Sequence, residues 1–197
     1  MSASDQSLPR MMPNLGKILE AVLFLVEEAE RRGLPLTQYD IVKSIFLADK
    51  RHLDEFGRPV TFDNYVAMLH GPVPSATYDM LKPTFDWRRS LQLPSAPWIR
   101  TPRNDGSTAA NYSGARRSAN LKSLSESDVN ALRNALSLVK SLSFTGLRSY
   151  THQNKAYVAA WQENEEQKAF DMDYRLIPDF EDSDLISDLE FASKHAG

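Results

Sequence analysis

The chain has 197 residues, 42% of them hydrophobic, and a formal net charge of −3, which suits one domain with a real core and is too short for two. It contains no cysteine, so disulfide frameworks, thiolate metal sites and cysteine nucleophiles are excluded. The longest apolar run, Ala21 to Val26, falls far short of the roughly 18 residues of a membrane span. The opening MSASDQSLPRMMP lacks the basic-then-apolar order of a secretory signal, so the cytoplasm is expected and a membrane partner is not.

Residues 1–13 read as a flexible N-terminus. Asn14 is then the predicted N-cap of a helix whose stripe is Leu15, Ile18, Leu19, Val22, Leu25, Val26 and Ala29, stopped by Arg31-Arg32-Gly33. Thr37 caps a second helix, with Ile41, Val42, Ile45, Phe46, Leu53 and Phe56 on one side. Gly57 ends it and Pro59 reinforces the stop. Tyr65 to Leu69 reads as a short helix. Gly71 suits a positive φ, and Pro72 and Pro74 hold Val73 extended before another short helix from Ser75 to Lys82.

From 84 to 124 the helical period is lost. Pro97 to Thr101 and Asn111 to Ala115 flank Asn104-Asp105-Gly106-Ser107, and Asp-Gly between extended runs predicts a β-hairpin. Ser125-Glu126-Ser127-Asp128 has the form of a capping box, opening a helix through Val129, Leu132, Ala135, Leu136, Val139 and Leu142 that Gly146 would end. A further helical piece runs from His152 to Glu163, and Pro178 separates it from a terminal amphipathic helix through Leu185, Ile186, Leu189 and Ala192.

The fold class expected is mostly α: a single compact helical domain over 14–178 with a small β-hairpin insertion at about 97–115, followed by an acidic C-terminal helix or tail at 179–197. Charge is unevenly spread. Arg88, Arg89, Arg100, Arg103, Arg116 and Arg117 cluster between Lys82 and Lys122, whereas acidic residues dominate from Glu163 onward. The two stretches either meet a charged partner or partly neutralise each other.

The blocks Phe46-Leu47-Ala48-Asp49-Lys50, Phe56-Gly57-Arg58-Pro59-Val60, Tyr65-Val66-Ala67-Met68, His70-Gly71-Pro72-Val73-Pro74-Ser75 and Tyr78-Asp79 together resemble the Panacea domain of SocA-like antitoxins. The resemblance is close over about residues 14–85. It returns more weakly from Thr151-His152 to Trp161, where Lys155-Ala156-Tyr157 stands in place of the more usual proline. Gly57, Pro59, His70, Gly71, Pro72, Thr151, His152 and Trp161 are the structural motif positions it marks. It implies an antitoxin whose partner is a cognate protein toxin. Some members of the family are thought instead to deliver the toxin to an ATP-dependent protease.

Asp49 is the sharpest polar anomaly, since it shares a helical face with Phe46 and Leu53. A carboxylate there needs donors or a cation. It either locks helix packing or acts with His70 and His152 in a metal-dependent hydrolase. The absence of a second carboxylate at ligand spacing favours the structural role. His70 beside Gly71-Pro72 is expected to lock the turn, and Thr151 or His152 to cap a helix. His52 and His195 sit in charged, exposed-looking surroundings and carry no signal. No nucleophile elbow or phosphate-binding glycine loop occurs, so no catalytic residue, cofactor or resident metal is assigned.

Trp98, Arg100, Arg103, Arg116 and Arg117 are the toxin-binding candidates, because arginine with an aromatic is the composition of binding hot spots. Three functions compete. The leading one is an antitoxin that neutralises a toxin by direct binding and is not an enzyme. The metal-dependent hydrolase requires Asp49, His70 and His152 to converge. A DNA-binding autorepressor is disfavoured by the acidic tail and the lack of a recognition helix. A homo-oligomer is compatible with all three.

Overall fold

Side-chain caps set the three long helices. The computed structural model describes residues 7–104, 109–163 and 166–195. Asn14 Oδ1 accepts from the Lys17 amide to start α1, Leu15–Arg31, and reciprocal capping boxes start α2, Gln38–Phe56 (Thr37 with Asp40) and α5, Glu126–Ser141 (Ser125 with Asp128). Gly57 ends α2 with a left-handed φ of 67°. Between them lie α3, Ser75–Met80, and α4, Trp87–Leu91; α6, Phe144–His152, α7, Lys155–Ala160, and α8, Ser183–His195, complete the helices.

Helix α2 forms the middle of the core. It packs along α5 and also against α1 and the sheet described next. Every residue from Ile41 to Asp49 is buried, so the two-sided pattern expected of a surface helix does not hold there. Phe56, assigned to the apolar stripe, is exposed instead.

Tyr65 to Leu69 is not a helix. Tyr65–Met68 is strand β1, paired antiparallel with β2, Gly71–Pro74, in the register Val66 to Val73 and Met68 to Gly71. A run this short satisfies either period, and here the residues alternate between buried and half-buried as a pleat requires. On its other side β1 pairs with β5, Phe170–Asp171, giving the order β2-β1-β5. The expected hairpin forms from β3, Ile99–Pro102, and β4, Ala110–Ser113; the turn residues Asp105 to Ser107 lie outside the described residues. It is tied to the body by the Tyr112 amide, which donates to Leu36 O at 2.8 Å, and by the Tyr112 hydroxyl, which donates to Leu81 O at 2.7 Å. The fold is thus mostly helical, with two small antiparallel sheets rather than a hairpin alone.

Three further expectations need correcting. Gly146 does not end α5, which stops at Leu142; Gly146 lies in the first turn of α6, where its amide donates to the Ser143 cap. His152 closes α6, and Asn154, not Thr151 or His152, caps α7. Residues 10–12, expected within a loose leader, are held to the body. Arg10 pairs with Asp171, Met11 exchanges hydrogen bonds with Asn64, and the Met12 amide donates to Ser193 Oγ.

Candidate partner-binding groove

The motif residues build two polar locks and one recess. In the first lock Asp49 is wholly buried and accepts four hydrogen bonds: from the Val60 and Thr61 amides, each at 3.0 Å, from the Thr61 hydroxyl, and from the Tyr65 hydroxyl at 2.7 Å. Burial pushes its carboxyl up to about 6, with the four donors pulling the other way. Asp63, also buried, accepts from the Ala76 and Thr77 amides and caps α3 from a distance, since Pro74 offers no side-chain cap.

The second lock explains Arg58 and a histidine that sequence reasoning set aside. Asp128 pairs with Lys17 at 2.8 Å and Arg58 at 3.1 Å while serving as the third residue of the α5 capping box. His52, expected to be exposed, is fully buried. Its Nδ1 lies 2.7 Å from Arg58 O and its Nε2 3.0 Å from Ser127 Oγ. A carbonyl can only accept, so Nδ1 carries a proton, while Nε2 faces both Ser127 Oγ and Asp128 Oδ1, the latter at 3.2 Å. Burial, the largest influence, lowers the pKa of His52 and favours the neutral form.

The recess is a groove of about 380 Å³ between the start of α2 and the β1–β2 turn, lined by Tyr39, Val42, Met68, Leu69, Val73 and Tyr78. Lys43 lies at its floor, 1% exposed, and its only hydrogen bond among the described residues goes to Pro72 O at 2.8 Å. Burial pulls its amine down to about 7. Gly71 is what lets Lys43 lie there. Its φ is +103°, and a Cβ would come within 2.7 Å of Lys43 Nζ and 2.8 Å of Thr151 Oγ1.

His152 lies on the same side, its ring against Tyr157 with centroids 4.2 Å apart, and its Nε2 is buried without a hydrogen-bond partner among the described residues. Burial first, then Arg148, Lys43 and His70, pull it down to about 4. The Tyr39 hydroxyl is likewise buried and unpartnered. At the rim, Phe144 is 54% exposed and Leu69 53%; Phe144 packs on Tyr39 and His70 at centroid distances of 5.0 and 5.4 Å. Arg148 Nε donates to Leu69 O. Trp161 follows α7, stacked on Tyr157 and edge-on to Phe170.

Lys43 should impose a measurable pH dependence. Its amine titrates near 7 in the folded chain and near 10.5 when unfolded, so between those values the unfolded state binds more protons and stability rises with pH. Tyr39, His70, His152 and Arg148 surround it, and Asp49 and Asp63 titrate below this window. Urea unfolding of wild type and Lys43→Met from pH 6 to 10 should therefore show the variant the more stable at pH 6. The gap should narrow by up to about 1.4 kcal/mol per pH unit above 7. A gap independent of pH would show that the amine stays charged throughout.

The hairpin candidates are not gathered into one exposed patch. Trp98 is only 3% exposed and edge-on to Trp87, so it belongs to the core. Arg117 forms a bidentate pair with Glu20 on α1 at 2.8 and 2.6 Å, Arg100 is half-buried beside Tyr112, and Arg103 and Arg116 are on the surface. The metal hypothesis fares no better. Among the described residues no three His, Asp or Glu side chains could hold a metal ion, and Asp49 spends its oxygens on Val60, Thr61 and Tyr65 rather than facing His70 or His152. No helix among the described residues is long and apolar enough to cross a membrane.

The described residues thus form a mostly helical fold with an aromatic-rimmed recess over the buried Lys43 amine. The family of SocA-like antitoxins with a Panacea domain matches residues 41–158, and the chain belongs to that family. The match starts at the buried run of α2, leaving 14–40 of the closely resembling stretch 14–85 outside it, and continues through the hairpin to α7. Searches of curated proteins and of solved structures found no significant match.

Proposed function

We propose that this chain is the antitoxin of a toxin–antitoxin pair, acting in the cytoplasm by direct binding of a cognate protein toxin, with no turnover of its own. The family match over residues 41–158 carries this reading. The groove supports it, because Phe144, Tyr39 and Leu69 supply the clustered, partly exposed apolar anchors on which protein interfaces concentrate their energy. Arg103 and Arg116 on the hairpin surface provide a second contact of the polar-rim kind, which sets association rate more than affinity.

The test is co-expression with the product of an adjacent reading frame that arrests growth when expressed alone. Wild type should relieve the arrest. Phe144→Asp should abolish relief while the variant stays folded, and Arg103→Glu with Arg116→Glu should weaken it less. Absence of any toxic neighbour, or full relief by Phe144→Asp, contradicts this reading. Toxin that persists in the relieved cells indicates sequestration; toxin that disappears in a protease-dependent way indicates delivery to an ATP-dependent protease.

A further inference from the structure

The basic side chains around the groove lack acids. Among the described residues no carboxylate lies within ion-pair distance of Lys43, His70, Arg148 or His152, although ion pairs are plentiful elsewhere on the chain. Asp40, the acidic residue nearest Tyr39 on α2, is already engaged by Lys140 at 2.7 Å and by the Thr37 capping box. Protonated Lys43, 1% exposed, donates one hydrogen bond and has the Tyr39 ring 5.3 Å from its Nζ, so its remaining donors are not met by any oxygen among the described residues; there the Tyr39 hydroxyl and His152 Nε2 are likewise without partners. Buried polar groups left in that condition are costly, so each calls for a partner. The walls around them are apolar.

We infer that the groove receives an aspartate or glutamate side chain carried on an apolar segment of the partner protein, with its carboxylate between Lys43 and Arg148. The apolar neighbours of that acid fill the space lined by Val42, Met68, Val73 and Tyr78, under the Phe144 and Leu69 rim. A carboxylate is the occupant the charges select, since it accepts from lysine, arginine and the tyrosine hydroxyl at once. A basic segment would be repelled by Arg148 and by Lys43 in its protonated form, and a purely apolar one would leave the buried donors unmet. The identity of the partner as a toxin rests on the function proposed above; the chemistry of the groove does not.

The probe is a displayed library of random peptides, selected in parallel on wild type, on Lys43→Met and on Leu69→Asp. Leu69 is an exposed rim residue whose replacement leaves the core intact. Wild type should enrich peptides with Asp or Glu between apolar residues, and both variants should fail to enrich them. A selected peptide should lose about tenfold or more in affinity when its acid is changed to the amide, the scale of a lost charge-assisted hydrogen bond. Because binding then requires a protonated Lys43, affinity should also fall by up to about tenfold per pH unit above 7. No enrichment, enrichment without an acid, or equal enrichment on Lys43→Met overturns the inference. If wild type neutralises its neighbour yet selects no acidic peptide, the groove assignment fails and the antitoxin role stands. If acidic peptides are selected and no neighbour is toxic, the reverse holds.

Discussion

Replacing Asp49 by alanine should cost the fold about 3–5 kcal/mol, the scale of a broken buried polar network. The substitution strands the Val60 and Thr61 amides and the Thr61 and Tyr65 hydroxyls, all facing the same buried carboxylate from the segment that follows Gly57. Each orphaned buried donor costs about 1–3 kcal/mol, moderated where the segment can relax toward water. Asp49→Asn should fall between, because one oxygen still accepts while the new amide points donors at donors. Tyr65→Phe removes a single donor and should cost about 1 kcal/mol. Urea unfolding at pH 7 measures all three. The expected order is alanine, asparagine, then phenylalanine at Tyr65, and a loss below about 1 kcal/mol for Asp49→Ala would show that the lock carries little of the fold.

Gly71→Ala should be nearly as damaging, at about 2–4 kcal/mol, through two separable effects. The first is conformational: a φ of +103° lies where side chains are rarely tolerated. The second is a collision, since the new methyl would press on Lys43 Nζ at 2.7 Å and Thr151 Oγ1 at 2.8 Å. The lysine end is flexible, but it is buried and held by Pro72 O, so yielding means giving up its hydrogen bond. Gly33→Ala separates the two, because Gly33 has φ +64° with nothing within 4 Å of the added carbon. That control should lose only about 1 kcal/mol, the usual left-handed penalty. Equal losses at the two positions would mean that the contact with Lys43 contributes nothing.

Much of this architecture was written in local chemistry. Asn14, Thr37 and Ser125 announced three helix starts because a capping side chain acts on amides within one turn, and Gly57 announced a stop for the same reason. Asp49 stood out because a carboxylate on an apolar face demands partners. Its partners could not be named, since Val60, Thr61 and Tyr65 reach it only through the turn that follows α2. What failed depended on distant packing. Lys43 carried no signal of its own, because only the packing that covers α2 on all sides from Ile41 to Asp49 buries it. His52 read as exposed because Asp128 and Ser127, far along the chain, supply its surroundings. Trp98 beside arginines had the look of an interface anchor, and only the contact with Trp87 shows it spent on the core. The strand at Tyr65 was lost to a short apolar run that fits two periods, and β5 contributes two residues, too few to leave any pattern.

Asp128 receives Lys17 from α1 and Arg58 from just beyond α2, with the α5 cap closed over it, so three long segments share a single fastening point. They are therefore bound to open together rather than fray one by one, and their slowest backbone amides should exchange with deuterium at a common rate set by one concerted event.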